Sequence, residues 1–377
     1  MLALLASAAA SIAGMWLITT SDLRVRANRY LVIASDASRI ATSGLQFARI
    51  QLDRNMGWSG ANIATPIDGW SGRMLIASQP TTWSCAHVSI TGFLNSGQQS
   101  VHANLRAVPH PTLDYNFASG TTVTFTDAVV AGRFRANGAV NCVGNVDFSG
   151  VITTPSGSSV SGQIDSTQVV YAQSALSQPT VSLSTYQSIS SPMLGVPRQP
   201  GNGPYLFDHV SLTPSANPYG GTNASGAYLF DAGGANVTIQ DVYLRGTLTI
   251  LNAGTVQVGN GFNADRVDAS LATIVVQGAI DMHLETDLNE TYLLTDLNGD
   301  GDMLDVFTPQ VTGLVFATGD FKGTYGGRIN GSVLAHAIEI VGNCDVGECA
   351  SLLTQPVREF ITHGPWEIVV GSIGSGT

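Results

Sequence analysis

The stretch that decides the fold is MLALLASAAASIAGMWLITT, residues 1–20, which contains no charged side chain. About 20 apolar residues in a helix are enough to cross the hydrocarbon core of a bilayer. A cleaved secretory signal carries a basic segment ahead of its apolar run, and this stretch has none. We therefore predict a retained, membrane-competent helix at this end of the chain.

The helical pattern continues beyond residue 20. Small or apolar side chains recur at steps of three and four residues, at Tyr30, Ala34, Ala37, Ala41, Gly44, Leu45, Ala48 and Leu52. Polar side chains such as Asp36 and Arg49 fall on the other face. The tripeptide Asn55-Met56-Gly57 is a typical helix stop, because glycine adopts the left-handed conformation readily. The sequence predicts one helix over residues 1–57.

Small residues in this helix predict what it contacts. Ala6, Ala10 and Gly14 repeat every fourth position, a spacing that lets two helices approach closely in a lipid environment. The alternative is a single lipid-facing anchor. We expect helix-to-helix assembly through Ala6, Ala10, Gly14, Leu17, Ala34, Ala37, Ala41, Leu45 and Ala48.

Residues 34–58, ASDASRIATSGLQFARIQLDRNMGW, resemble the N-terminal part of type IV pilin-like proteins, in particular minor pilins and pseudopilins of the PilX or K type. The shared pattern is Ala-x-x-Ala, then Gly-Leu, Ala and Leu, ahead of an aromatic residue, here Trp58. The resemblance implies insertion in the inner membrane before assembly, and then an extracellular filament held together by a helical core. Its partners would be further copies of this chain and other pilin-like subunits.

Two features of the N-terminus bear on processing. Major pilins carry glutamate at the fifth mature position, whereas this chain has Leu5. By the positive-inside rule, Arg24, Arg26 and Arg29 would place the following residues in the cytoplasm. Removal of a short basic leader before Met1 by a prepilin peptidase would resolve this conflict, and we expect such processing.

The rest of the chain has the composition of a β protein. Gly occurs 42 times, only 11% of residues are charged, and Lys322 is the single lysine. Short Val, Ile and Phe segments alternate with glycine, as in Leu244-Arg245-Gly246-Thr247-Leu248 and Ile329-Asn330-Gly331-Ser332-Val333. We predict an α+β chain: one long N-terminal helix, then a mostly-β body with parallel β-solenoid rungs. An antiparallel sandwich is the alternative.

The predicted boundaries follow changes in composition. A first β-rich region covers 58–165, a Ser/Thr/Pro-rich linker or crossover covers 166–204, and a second β-rich region covers 205–377. The linker is suited to O-glycans. Four N-x-Ser/Thr triplets make the chain a candidate glycoprotein; they begin at Asn223, Asn236, Asn289 and Asn330.

Charge and cysteine content narrow the function classes. The net charge is −11, and the acidic groups lie mostly after residue 60, so the body repels phosphates and we expect no nucleic-acid binding.

Cys344 and Cys349 flank a short glycine-containing loop and are expected to form a disulfide, which leaves Cys85 to pair with Cys142. Buried free thiols are the alternative.

One local motif predicts a metal. Residues 296–305, DLNGDGDMLD, place oxygen ligands at alternate positions with glycine at the sixth, as in a Ca²⁺ loop. The candidate ligands are Asp296, Asn298, Asp300, Asp302 and Asp305. The twelfth position is Phe307, so the usual bidentate glutamate is missing. A solvated acidic turn without an ion is the alternative.

No catalytic pattern is present, and the seven histidines are scattered. We predict a non-enzymatic structural subunit of a type IV pilus-like filament at the cell surface, with no catalytic residues. The alternatives are a membrane-anchored adhesin or binding protein, and an anchored β-helix carbohydrate enzyme. That enzyme would need acidic residues such as Asp231, Asp241 and Asp320 gathered on one face.

Overall fold

The computed structural model describes residues 2–64, 72–82, 84–95, 97–172, 174–324, 326, 328–347, 350–361, 366–369 and 372–376. Within these ranges, the side chains of 2–10, 12–14, 82, 350, 351, 375 and 376 are not described. The chain divides into two compact units. The first contains Met1–Val108 and Thr362–Thr377, and the second contains Pro109–Ile361.

The first unit begins with helix α1, Leu2–Arg54, of 53 residues. At 1.5 Å per residue it is about 80 Å long. It ends at Arg54, three residues before the predicted end at 57, because Asn55 forms a turn: its carbonyl accepts from the Trp58 amide at 2.9 Å and its side chain accepts from the Gly57 amide at 3.0 Å. The prediction of one long N-terminal helix is confirmed.

An antiparallel sheet completes the first unit. It contains β1 (Gly60–Ala64), β2 (Gly72–Thr82), β3 (Cys85–Leu94), β4 (Gly97–Arg106) and the last two strands of the chain, β26 (Glu367–Ile368) and β27 (Gly374–Gly376). The strands pair in the order β1-β2-β3-β4, with β26 and β27 both pairing with β4. Strand β3 alternates strictly between half-buried and buried residues, so one face of the sheet is apolar.

The second half of α1 covers that apolar face. Ala37, Ala41, Ala48 and Leu52 are fully buried, and a glycine allows the close approach. A Cβ built at Gly92 of β3 would collide with the carbonyl oxygen of Ala37. The small residues at steps of three and four in α1 therefore seat the helix against the chain's own sheet.

The second unit is the β-rich body. Its strands are β5 (Phe117–Ser119), β6 (Val123–Ala136), β7 (Val140–Val143), β8 (Asp147–Pro155), β9 (Val160–Ser161), β10 (Val169–Ala172), β11 (Ser191–Pro192), β12 (Tyr205–Leu212), β13 (Ala227–Asp231), β14 (Val237–Arg245), β15 (Thr247–Leu251), β16 (Thr255–Val258), β17 (Phe262–Asp265), β18 (Ile274–Val276), β19 (Ala279–Met282), β20 (Leu288–Asn289), β21 (Val306–Phe307), β22 (Gln310–Ala317), β23 (Phe321–Thr324), β24 (Arg328–Ala335) and β25 (Ile338–Gly347). Its short helices are α2 (Leu183–Ile189), α3 (Glu290–Leu293) and α4 (Ala350–Thr354), with 3-10 turns at Pro111–Asp114, Ser166–Gln168 and Arg358–Phe360.

Among the described residues, nineteen of these strands form one parallel sheet that closes around an apolar core. The exceptions are β20 and β21, which form a separate antiparallel pair. Phe134 is fully buried in the core; its ring lies 4.9 Å from that of Phe117 and 5.1 Å from that of Phe125. The predicted β-rich body is confirmed, and its closed sheet is parallel.

Glycines occur where neighbouring segments of the body approach closely, both within strands and at the turns between them. Gly331 lies opposite Gly313 in the ladder between β24 and β22. A Cβ built at Gly331 would collide with the Gly313 carbonyl oxygen, and its φ of 154° is one that L side chains rarely adopt. Gly246 approaches Gly226 in the same way.

The predicted boundaries inside the β-rich part need correction. The region 58–165 is split, because residues 60–106 pair in the antiparallel sheet while 117–161 pair in the parallel one. The regions 58–165 and 205–377 are also not separate, because β25 pairs with β6 and β24 pairs with β5. Local sequence pattern does not reveal pairing between strands that are far apart along the chain.

The predicted linker, 166–204, is partly regular structure. It contains β10, α2 and β11. Tyr186 of α2 is fully buried, and its hydroxyl accepts a 3.1 Å hydrogen bond from the Ala272 amide. With Leu352 and Phe360 from the end of the unit, Tyr186 belongs to a second apolar cluster on the outside of the sheet.

Candidate functional site

The first candidate site is the part of α1 that precedes its contact with the sheet. In residues 15–32, which we call the exposed helical segment, the large apolar side chains are between 61% and 72% exposed. They are Met15, Trp16, Leu17, Ile18, Leu23, Val25, Tyr30, Leu31 and Val32. Exposed apolar surface of this extent on a soluble protein marks a site of interaction.

Apolar side chains surround this segment on all sides at its start. Met15, Trp16, Leu17 and Ile18 are consecutive, and consecutive helical residues point about 100° apart. Further along, charges interrupt the apolar surface, and Arg26 forms a 2.8 Å ion pair with Asp22. The apolar surface at residues 15–18 is therefore not a single stripe facing one neighbour.

The residues predicted for helix assembly fall into three groups. Ala37, Ala41, Leu45 and Ala48 are at most 3% exposed against the chain's own sheet, and Ala34 is half-buried. Leu17 is 65% exposed. The side chains of Ala6, Ala10 and Gly14 lie outside the described residues. Ala37, Ala41, Leu45 and Ala48 are therefore not available for contact with a neighbouring helix, whereas Leu17 is.

Within the part of the chain whose side chains are described, no helix has a stretch both apolar and long enough to cross a membrane.

The second candidate site is the predicted calcium loop, in the segment 285–309 between β19 and β22. Its side chains fold the loop back on itself. The Asp296 carboxylate accepts from the amides of Gly299 at 2.6 Å and Gly301 at 2.9 Å. Asn298 donates to Asp300 at 3.1 Å and to Asp305 at 2.5 Å. The five predicted ligands thus lie in one loop, as expected from their spacing.

The structure adds a carboxylate that sequence reasoning missed. Glu290, the first residue of α3, is fully buried; its two oxygens accept from the amides of Leu297 at 2.5 Å and Asp305 at 3.3 Å. Glu290, Asp302 and Asp305 each offer an oxygen, and these oxygens lie within 4.8 Å of one another. The sequence offered no signal for this role, since Glu290 stands between two polar residues, Asn289 and Thr291, ahead of the acidic run.

The carboxylates of this loop lie close enough together to change one another's pKa values. Loss of hydration, and then the charges of Asp300, Glu290 and Asp302, raise the pKa of Asp305. A hydrogen bond from the Asp302 backbone, and then one from Asn298, lower the pKa of Asp300. An all-oxygen donor set with mutual repulsion fits a hard divalent cation such as Ca²⁺, since a cation would offset the like charges.

The cysteines provide no bridge in the described residues: Cys85, Cys142 and Cys344 are free thiols. The predicted pairing of Cys85 with Cys142 is therefore not formed. Burial raises the pKa of the Cys142 thiol to about 11, which keeps it protonated at neutral pH. Cys349 lies outside the described residues, but because Cys344 is free the predicted Cys344–Cys349 disulfide is not formed either.

The acidic residues considered for a carbohydrate enzyme have separate partners. Asp231 accepts from Asn252 at 3.0 Å, and Asp320 contacts His336 at 3.0 Å. Asp241 lies 3.8 Å from His209. Each carboxylate thus contacts a different partner.

Comparisons with known proteins add the following. No protein-family model matches the chain, and no curated protein matches it. Among solved structures, it is similar to the competence-associated pilin ComZ from Thermus thermophilus, with a TM-score of 0.35 and 11% sequence identity, over 91% of this chain and 98% of that one.

Proposed function

We propose that this chain is a structural subunit of an extracellular, type IV pilus-like filament. The N-terminal helices of many copies would pack together in the filament core, and the β-rich bodies would lie outside. The role is non-enzymatic, and the partners are further copies of this chain and other pilin-like subunits.

The observation that carries the proposal is the contrast between the two halves of α1. Ala37, Ala41 and Ala48 are fully buried against the sheet of the same unit, whereas Trp16 and Ile18 are 70% and 69% exposed. A helix that is apolar on all sides at residues 15–18 is unfavourable alone in water, because that surface must be removed from solvent.

Helix packing explains this surface better than a single contact does. An apolar surface on every side requires several neighbours, as at the centre of a helical bundle. The docked half of α1 would hold the antiparallel sheet of each subunit at a fixed place on the helix, so that helix packing also orders these sheets. The resemblance of residues 34–58 to type IV pilin-like proteins favours the same arrangement.

The location follows from this role. The subunit would wait in the inner membrane before assembly, with residues 1–20 as its apolar segment, and would then enter a filament at the cell surface. We further propose that the closed parallel sheet is a β-solenoid. Its ladders support this, since strands pair mainly with the strand one chain turn further along, as Val123 does with Val140 and Val311 with Ile329.

We also propose that the acidic loop binds Ca²⁺ through Asp302, Asp305 and Glu290, with Asp296, Asn298 and Asp300 shaping the loop. The cation would order the segment 285–309 and take no part in catalysis. Glu290 supplies a carboxylate that the twelfth loop position, Phe307, cannot.

The filament proposal is tested by electron microscopy of material sheared from cells that express the chain. The test variant is Leu17→Glu, which adds a charge to the exposed helical segment without touching the sheet. The control is Gln187→Glu, which adds the same charge at an exposed position of α2. We expect filaments from the parent and the control and none from Leu17→Glu, because a buried unpaired charge opposes helix packing.

Normal filaments from Leu17→Glu would contradict the core model. An absence of filaments from the parent, with the protein retained in the membrane fraction, would favour the anchored adhesin instead. N-terminal sequencing of the same filaments tests whether a leader is removed before Met1.

A further inference from the structure

A cleft on the outer surface of the β-rich body has no role in the proposed assembly. It has a volume of about 420 Å³, inside the range of about 300–1,000 Å³ that is common for small-molecule sites. Its floor is formed by Ser211 of β12 with Tyr243 and Arg245 of β14. One rim is the turn at 213–216, and the other is the start of the acidic loop at 295–297.

Tyr243 provides a flat surface in the floor. Its ring is half-buried and lies 6.4 Å from the ring of Phe307, at an interplanar angle of 41°. Burial raises the pKa of the Tyr243 phenol, so its hydroxyl stays neutral and can donate or accept. A half-buried aromatic ring with a polar tip is suited to a ligand that is itself part apolar and part hydroxylated.

Two polar groups of the floor are left without partners. The hydroxyl of Ser211 is enclosed and has no hydrogen-bond partner among the described residues. The exposed guanidinium of Arg245 likewise forms no hydrogen bond or ion pair within the described part of the chain. The guanidinium therefore has donors free for a ligand that enters the cleft, whereas the enclosed Ser211 hydroxyl is out of a ligand's reach. Thr213, Ser215 and Thr295 add hydroxyls at the rims.

The charged groups around the cleft, one basic and two acidic, disfavour an anionic ligand. Arg245 lies opposite Asp265 in the ladder between β14 and β17, and Asp296 lies in the acidic rim. The Asp296 carboxylate is already occupied by the amides of Gly299 and Gly301. Around one positive charge there are thus two negative ones.

A peptide strand is a poorer fit than a small hydroxylated molecule. Strand β14 is paired on one side with β12 and on the other with β16 and β17, so its backbone has no open edge for strand addition. The groups that remain available are the Tyr243 ring, the Arg245 guanidinium, and the hydroxyls of Ser215 and Thr295, each of which has one hydrogen bond within the chain and capacity for another. They match a sugar ring, which has an apolar face and hydroxyls around its edge.

We propose that this cleft binds a neutral saccharide, with a sugar ring against Tyr243 and its hydroxyls held by Arg245 and the Ser/Thr rims. This inference does not rest on filament assembly, since every residue that carries it lies between 211 and 307 of the second unit.

The test begins with a printed array of neutral, acidic and basic oligosaccharides, probed with the full chain in mild detergent. The neutral oligosaccharide that gives the strongest signal is then titrated by calorimetry into the parent and the variants. Arg245→Gln removes the exposed guanidinium, and Tyr243→Ala removes the ring. Tyr171→Ala is the matched control, because Tyr171 is an exposed tyrosine, 56% accessible, on β10.

We expect binding of at least one neutral oligosaccharide, with affinity lowered about tenfold or more by Tyr243→Ala and by Arg245→Gln, and unchanged by Tyr171→Ala. Tyr243→Ala removes a half-buried ring and can disturb folding. If it lowers the melting temperature, the proposal is judged on the affinity of Arg245→Gln alone. The proposal is overturned if no oligosaccharide binds, if acidic oligosaccharides bind in preference, or if Arg245→Gln binds as the parent does.

Discussion

Ile338 of β25 lies directly opposite Val123 of β6 in a parallel ladder, although the two residues belong to opposite ends of the β-rich body. Both are buried in the same apolar core. The chain therefore places its last long strand of this unit beside one of its first. The unit is consequently one cooperative body whose integrity depends on both ends.

This pairing can be tested by a cross-link. Thr124 and Glu339 are paired in the same ladder, and neighbouring strands lie about 4.8 Å apart, within the reach of a disulfide. We expect Thr124→Cys with Glu339→Cys to form a disulfide, seen by mass spectrometry as linked peptides. The control joins Asn141→Cys with Glu339→Cys, which lie two strands apart. Linkage of the control pair but not of the test pair would contradict the register.

The aromatic core predicts a large stability effect. Phe134 is fully buried, with the rings of Phe117 and Phe125 within 5.1 Å. Phe134→Ala should lower the free energy of unfolding by about 3–5 kcal/mol, measured by urea denaturation. Val129→Ala is the control on the same strand, because Val129 is 53% exposed and should change stability by less than about 0.5 kcal/mol. Equal effects of the two substitutions would be inconsistent with the core described above.

The close approach of α1 to its sheet predicts an effect of a single methyl group. A Cβ at Gly92 collides with the Ala37 carbonyl oxygen, whereas a Cβ at Gly57 meets no atom closer than 3.4 Å. Gly92→Ala should therefore destabilise the first unit by roughly 1–3 kcal/mol, and Gly57→Ala should have little effect. Thermal unfolding followed by circular dichroism measures both. An undisturbed melting curve for Gly92→Ala would mean that the helix is not seated there.

Calcium binding is expected to stabilise the chain. At a Ca²⁺ concentration about 100 times the dissociation constant, the gain would be about 2.7 kcal/mol, seen as a higher melting temperature. Asp305→Asn should remove most of this gain, since it removes one of the three clustered carboxylates. Asp147→Asn, an exposed acidic residue of β8, is the control. A melting temperature that does not respond to Ca²⁺ would exclude the proposed site.

One buried acid predicts a pH dependence. Burial raises the pKa of Glu359, and the neighbouring Arg358 offsets this only in part. Because the folded-state pKa lies above the unfolded value, the ionised group opposes folding at neutral pH. That penalty disappears as the pH falls through the folded pKa to below the unfolded one.

Glu359→Gln should therefore raise the free energy of unfolding at pH 7, and the advantage should shrink on acidification. Chemical denaturation from pH 7 to pH 4 measures the difference, with Glu285→Gln, at a largely exposed glutamate, as the control. An advantage that grows toward acid pH would have the wrong sign for this account.

Much of the local structure followed from local pattern. The helix was predictable because small and apolar residues recur along it at helical spacing, and its end because Asn55 turns the chain there; Gly57 does not adopt the left-handed conformation expected of it. Two of the glycines at close approaches between neighbouring segments stood out in the sequence as well. Gly246 and Gly331 stand in the same short motif, apolar-x-Gly-Ser/Thr-apolar. The acidic loop was also visible, as its ligands are close in sequence.

The sequence by itself determined that one long helix precedes a β-rich body, because periodicity and glycine placement are local properties. Only the tertiary structure decided that Ala37, Ala41 and Ala48 face the chain's own sheet, and that β25 lies beside β6. It also brought Glu290 to the acidic loop and Tyr243 and Arg245 to one cleft. These arrangements depend on contacts between segments that are far apart in the sequence. Burial of apolar surface and hydrogen bonding in the folded chain select those contacts, and a local sequence pattern shows neither of them.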